Sequence, residues 1–152
     1  MDTFDTPEAR TAAVRALETE FSELISGFRR VLSENANRVS PGMLPGAYKV
    51  LTTIARKEQV TLSALADCLM ADKGQISRAV RELESLQLVT RTPDPDDGRS
   101  SLISATEFGV ERLAFARAPQ EDMLLRALEA WSLADIQNLS RMLHALSAGE
   151  TP

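Results

Sequence analysis

Thiol, imidazole and large aromatic groups are scarce in this chain: one cysteine (Cys68), one histidine (His144), one tryptophan (Trp131) and one tyrosine (Tyr48). A single cysteine excludes an intrachain disulfide, and one histidine argues against a multi-histidine metal site. No metal and no cofactor is therefore expected. Apolar runs are short throughout, none approaching the roughly 18 residues of a membrane span. The opening "MDTFDTPEAR" is acidic, without the apolar core of a leader. These absences predict a cytoplasmic protein with no membrane partner. Glycine-rich phosphate loops, nucleophile signatures and carboxylates at catalytic spacing are missing too, so no catalytic residues and no enzyme are expected. Positive charge is also in deficit. Lys and Arg number 17 against 22 Asp and Glu, a net charge of −5, the opposite of the usual nucleic-acid footprint.

The chain does have enough length for a proper core, with 152 residues, 43% hydrophobic and 26% charged. After a frayed start, Val14, Leu17, Phe21, Leu24, Phe28 and Val31 recur at three and four, predicting an amphipathic helix from Glu8 to Arg30 or slightly beyond. "SPGMLPG", Ser40 to Gly46, breaks it. A second helix follows over about Ala47 to Lys57, burying Val50, Leu51 and Ile54. Thr61 is placed to cap a short third helix whose inner face carries Leu62, Leu65 and Leu69.

The next stretch, "ADKGQISRAVRELESLQL", has two faces. Asp72 suits an N-cap, and Ile76, Ala79, Val80, Leu83 and Leu86 share the inner side. Gly74, Ser77, Arg78, Arg81 and Ser85 share the outer one. "RTPDPDDGRSSLISATEFG" then reads as two short strands, Leu88 to Thr92 and Ser101 to Ala105, joined by an acidic turn bearing one cation, Arg99. Thr106 suits the cap of a long helix with Val110 and Leu113 inward. Pro119 predicts a kink or break in that helix. Ser132 to Asp135, "SLAD", has the form of a capping box before a last helix. The terminal helices carry more apolar stripe than so small a centre can cover, which predicts a symmetric dimer, or else an intrachain bundle.

Two short helices with a tight turn, the second polar and Arg-bearing outside, suggest a helix-turn-helix, and the following hairpin a wing. The residues presented to base edges or phosphates would be Lys73, Gln75, Ser77, Arg78 and Arg81. Arginine matches the paired acceptors of guanine, and glutamine can pair with adenine. Arg99 would enter the minor groove, with the neighbouring acids holding and orienting it. Against this, Asp72 to Arg99 holds five Lys or Arg and six Asp or Glu, which is no basic patch. A solvated helix face fits that balance as well.

The segment from Ala71 to Gly109 closely resembles the MarR family of bacterial winged-helix transcription regulators. The carriers are Ser77-Arg78, Leu83-Glu84, Leu88 to Arg91, the wing pattern Asp94-Pro95, Asp97 and Arg99, and the closing Thr106 and Gly109. The resemblance implies a mainly α fold with a small β-hairpin wing, a single MarR-like domain over 1–152. Residues 47–105 would be the winged helix-turn-helix DNA-binding lobe, flanked by long dimerisation helices at 8–38 and 106–148. It implies a homodimer on a pseudo-palindromic operator of double-stranded DNA, commonly a repressor released by a small, often aromatic or phenolic, effector. It also implies that Asp97 steadies Arg99. Three positions depart from the family: Gln87 stands for a usual glycine, Gly74 for a frequent serine or threonine, and Ala105 for a usual leucine. A left-handed Gln87 would be strained, so the helix end there is expected to be remodelled. Cys68, beside Leu65 and Leu69, is expected in the core. The alternative reading is a winged-helix interaction module that binds protein or ligand without DNA.

Overall fold

A computed structural model describes residues 6–151, so residues 1–5 of the expected frayed start lie outside the described residues. Helix α1, Pro7–Val39, opens on Thr6, whose hydroxyl accepts from the Ala9 N–H, with proline at the first helical position. It runs a further two turns past Arg30, because Asn35, Ala36 and Val39 bury against the rest of the unit. The Ser40 to Gly46 break is where expected, and α2, Pro45–Lys57, follows. A strand that the sequence did not announce comes next: β1, Val60–Thr61, only two residues long. Helices α3, Leu62–Leu69, and α4, Lys73–Ser85, are joined by three residues in which Met70 is left-handed. The hairpin strands are β2, Val89–Pro93, and β3, Ser101–Ala105. Helices α5, Glu107–Ala127, and α6, Leu133–Ala148, complete the order.

The sheet is antiparallel in the order β1-β3-β2, with Val89 opposite Ala105 and Pro93 opposite Ser101. β1 pairs Val60 with Ile103 on the other edge of β3. Two residues are too short a run for period-2 alternation to register, so tertiary pairing alone makes this strand. Leu51, Ile54, Leu65, Val80, Leu83, Leu88 and Ile103 are fully buried, one from each of α2 to α4 and the sheet or more. This core seats α4 and the hairpin on one rigid base.

Contacts divide the molecule into two compact units, with the boundary between Ala116 and Arg117. α5 nevertheless continues as helix through Pro119, so the expected break does not occur. Proline there deprives the Phe115 carbonyl of its helical donor. Arg38 Nη2 of α1 donates to that carbonyl at 3.3 Å. The service is returned: Arg112 of α5 donates through Nε to Val39 O at 3.0 Å and through Nη2 to Arg38 O, among the last carbonyls of α1. The Arg38 and Arg112 guanidinium carbons lie 4.7 and 4.9 Å from the centroid of the Phe115 ring.

The inward face of α5 is Gly109, Leu113 and Ala116, not Val110, which is half exposed. The register is set by Gly109. A Cβ there would sit 2.1 Å from the Leu88 carbonyl oxygen, so the first turn of α5 abuts bare backbone. In the second unit, Ser132 accepts from the Asp135 N–H and donates to the Asp135 carboxylate, so the predicted cap forms. No described helix is long and apolar enough to cross a membrane.

Candidate nucleic-acid interface

Asp72 starts α4: its Oδ2 accepts from the Gln75 N–H at 3.1 Å. Gly74 makes room for that cap, since a Cβ there would lie 2.8 Å from the same Oδ2. The inner residues Ile76, Val80 and Leu83 are buried, and Ala79 and Leu86 pack partly against them. The opposite face is thereby turned to solvent. Lys73, Gln75, Arg78 and Arg81 are exposed and Ser77 is half-buried. All five predicted α4 residues therefore lie off the core, with Lys73 and Gln75 in the first turn, where the helix dipole favours anions.

The C-terminus of α4 answers the question of Gln87. Its φ is 59°, the left-handed region, and the helix end is not remodelled. Gln87 N–H donates to Glu84 O and Leu88 N–H to Leu83 O, the paired bonds of a glycine-type helix stop. The Gln87 carbonyl in turn accepts from the Thr106 hydroxyl at 2.7 Å, and Thr106 Oγ1 accepts from the Gly109 N–H. A strained residue is thus held by bonds on both sides.

At the wing tip the acids serve the backbone. Asp94 Oδ1 accepts from the Asp96 N–H and its Oδ2 from the Ser100 hydroxyl at 2.8 Å. Asp97 Oδ1 accepts from the Arg99 N–H at 3.0 Å. These bonds hold the Asp94 carboxyl below its ordinary value, the Asp96 amide first and the Ser100 hydroxyl next. Asp97 fixes the Arg99 backbone, while the guanidinium is exposed and makes no ion pair among the described residues. Short aspartates favour such local turns, which the cluster of three in four residues signalled only as a turn.

Two further residues stand otherwise than the sequence suggested. Glu84, one of the six acids counted between Asp72 and Arg99, pairs with Arg91 Nε at 2.9 Å. Glu84 lies in the last turn of a helix and Arg91 on a strand beyond a turn, so no single periodicity relates them and pattern alone gave no sign of the pair. Cys68 is exposed, not in the core. α3 is short, and Leu65 and Ala66 take its buried positions while Cys68 falls on the outer side.

Residues 42–100 match the MarR family. Over 73 residues the chain is 36% identical to a putative transcriptional regulatory protein for the hcr operon of Thauera aromatica, covering 48% of this chain and 44% of that one. It is 23% identical over 99 residues to the transcriptional repressor IacR of Pseudomonas putida, covering 65% and 59%. The matched segments thus span about half the length of these two relatives. Among solved structures, Streptococcus pneumoniae FabT in complex with DNA superposes with a TM-score of 0.78 at 15% identity, over 89% of this chain and 95% of that one. That similarity is one of fold.

Proposed function

We propose that this MarR-family winged-helix regulator binds double-stranded DNA sequence-specifically, as a homodimeric, cytoplasmic repressor released by a small effector. Residues 47–105 form the DNA-binding lobe, and the helices within 8–38 and 106–148 form the dimer. The observation that carries the reading is placement of charge. Lys73, Arg78, Arg81 and Arg99 stay exposed, while Glu84 is neutralised by Arg91, and the carboxylates of Asp94 and Asp97 accept from the backbone and Ser100. A chain that is acidic overall therefore offers cations where DNA would lie. Arg78 and Arg81 read base edges in the major groove, with Gln75 beside them, and Lys73 and Ser77 meet phosphates. Arg99 enters the adjacent minor groove, its backbone set by Asp97. The repressor named among the relatives supports the direction of regulation.

Selection of bound sequences from a randomised DNA pool tests this, run at two salt concentrations beside Arg99→Ala and Arg78→Ala. A palindromic site should be recovered and weakened by salt. Arg78→Ala should cost about 1–3 kcal/mol on that site and relax specificity at one position. Equal loss on every sequence would reassign Arg78 to phosphate contact, and no enrichment at low salt would favour an interaction module.

A further inference from the structure

We propose that the Arg91–Glu84 ion pair is a strut that fixes the wing to the recognition helix, so that both act as positioning residues for Arg99. The inference rests on the DNA-binding reading above. The wing is anchored at its root, where Leu88 and Val89 are buried, and along β3, where Ile103 is buried and pairs with β1. Beyond them Thr90, Thr92 and Pro93 of β2 are exposed, and the tip from Pro95 to Arg99 is exposed throughout. The pairing of β2 with β3 makes the hairpin stiff in itself, and β1 ties β3 to the body, which leaves β2 as the outer strand whose own tie to α4 is the ion pair. Arg91 is the strand residue that reaches back. Its Nε meets Glu84 Oε2 at 2.9 Å, each side chain about a third exposed (31% and 32%). Among the described residues no other ion pair joins a wing strand to α4.

Glu84 is also the residue whose carbonyl accepts from Gln87 in the helix stop. One residue therefore fastens both the turn and the strand that leaves it. A carboxylate in the last turn of a helix opposes the helix dipole. Facing a polyanion, it would also repel the ligand. Arg91 removes both penalties and uses the resulting contact to hold β2. A pair this exposed adds little to global stability, so its effect is geometric, on the angle that brings Arg99 to its groove.

Glu84→Gln and Arg91→Gln separate geometry from charge, because they change the net charge in opposite directions. Two readouts apply to each: amide exchange of residues 94–100 in the free protein, and affinity for the selected operator. The strut predicts faster wing exchange in both variants and operator binding weakened in both, each by about threefold. Simple electrostatics predicts weaker binding for Arg91→Gln and tighter binding for Glu84→Gln, an outcome that overturns the strut. Unchanged wing exchange in either variant overturns it as well. The exchanged pair Glu84→Arg/Arg91→Glu should restore the slow exchange, and failure to do so in a folded protein counts against it. If the wild-type chain selects no DNA, the functional reading fails, and the exchange measurements alone still decide the strut.

Discussion

Gln87 pays a conformational cost that its bonds do not require. At φ 59° a side chain is disfavoured, yet the contacts of that residue, to Glu84 O and from Thr106, run through its backbone. Gln87→Gly keeps every one of them and should stabilise the protein by about 1 kcal/mol, read as a higher urea midpoint at unchanged slope. A loss of stability would show that the glutamine side chain contributes more than the strain removes. The wing tip responds to acid in a defined direction. Asp94 is held below its ordinary value near 3.8 by the Asp96 amide and the Ser100 hydroxyl. A lowered value means that the ionised form contributes order that is present in full above that ordinary value. The order is lost as pH falls through the lower, folded value. Protection of the Asp96 amide, taken relative to its intrinsic exchange rate, should therefore fall below about pH 4, and Asp94→Asn should show the reduced protection at neutral pH.

At the scale of elements, α1 and α5 are joined by reciprocal capping, and Pro119 is what makes the exchange possible. The proline withholds a donor from Phe115 O, and Arg38 supplies one. Arg38→Met should destabilise the native chain by leaving that carbonyl unserved. In a Pro119→Ala background the helix regains its own N–H donor, so the same substitution should cost about 0.5–1.5 kcal/mol less. Equal costs in both backgrounds, measured by chemical denaturation, would show that Arg38 acts through its stacking on Phe115 alone. The sequence displayed Pro119 plainly but suggested a break, because the donor that compensates lies 77 residues away. The same limit hid β1. Its two residues become a strand only because β3 offers an edge to pair with.

For the molecule as a whole, the apolar stripe of α1 is the unfinished surface. Val14, Leu17, Leu24, Ile25 and Phe28 are each between 50% and 58% exposed. In the second unit Leu139, Met142, Leu143 and Leu146 of α6 are exposed as well, between 41% and 58%. Contiguous exposed apolar surface marks an interaction site, and a second copy of the chain is the partner proposed here. The wild-type protein should be dimeric by light scattering at micromolar concentration, and Phe28→Glu should make it monomeric. A wild-type monomer would count against the architecture as a regulator of palindromic sites.

Helical periodicity placed all six helices of the described residues, and the capping residues Thr61, Asp72, Thr106 and Ser132 marked four of their starts. Those signals are local, set by spacings of three and four and by single hydrogen bonds to nearby amides. The pattern around Arg78 and the wing carried the family resemblance because turn chemistry and charge there recur at fixed offsets. The facing of individual residues was decided elsewhere. Cys68 and Val110 carry apolar side chains, so composition assigned them inward. Packing turned them outward, since α3 needs few buried positions and Gly109 fixes the rotation of α5. Which acids are free to repel DNA was likewise settled in three dimensions. Glu84 meets Arg91 only after a left-handed turn reverses the chain, and Asp94 meets the Ser100 hydroxyl only where the wing turn brings the two together. Sequence determined what each segment is; tertiary structure decided which charges remain to meet a partner, because pairing depends on distances that spacing along the chain does not contain.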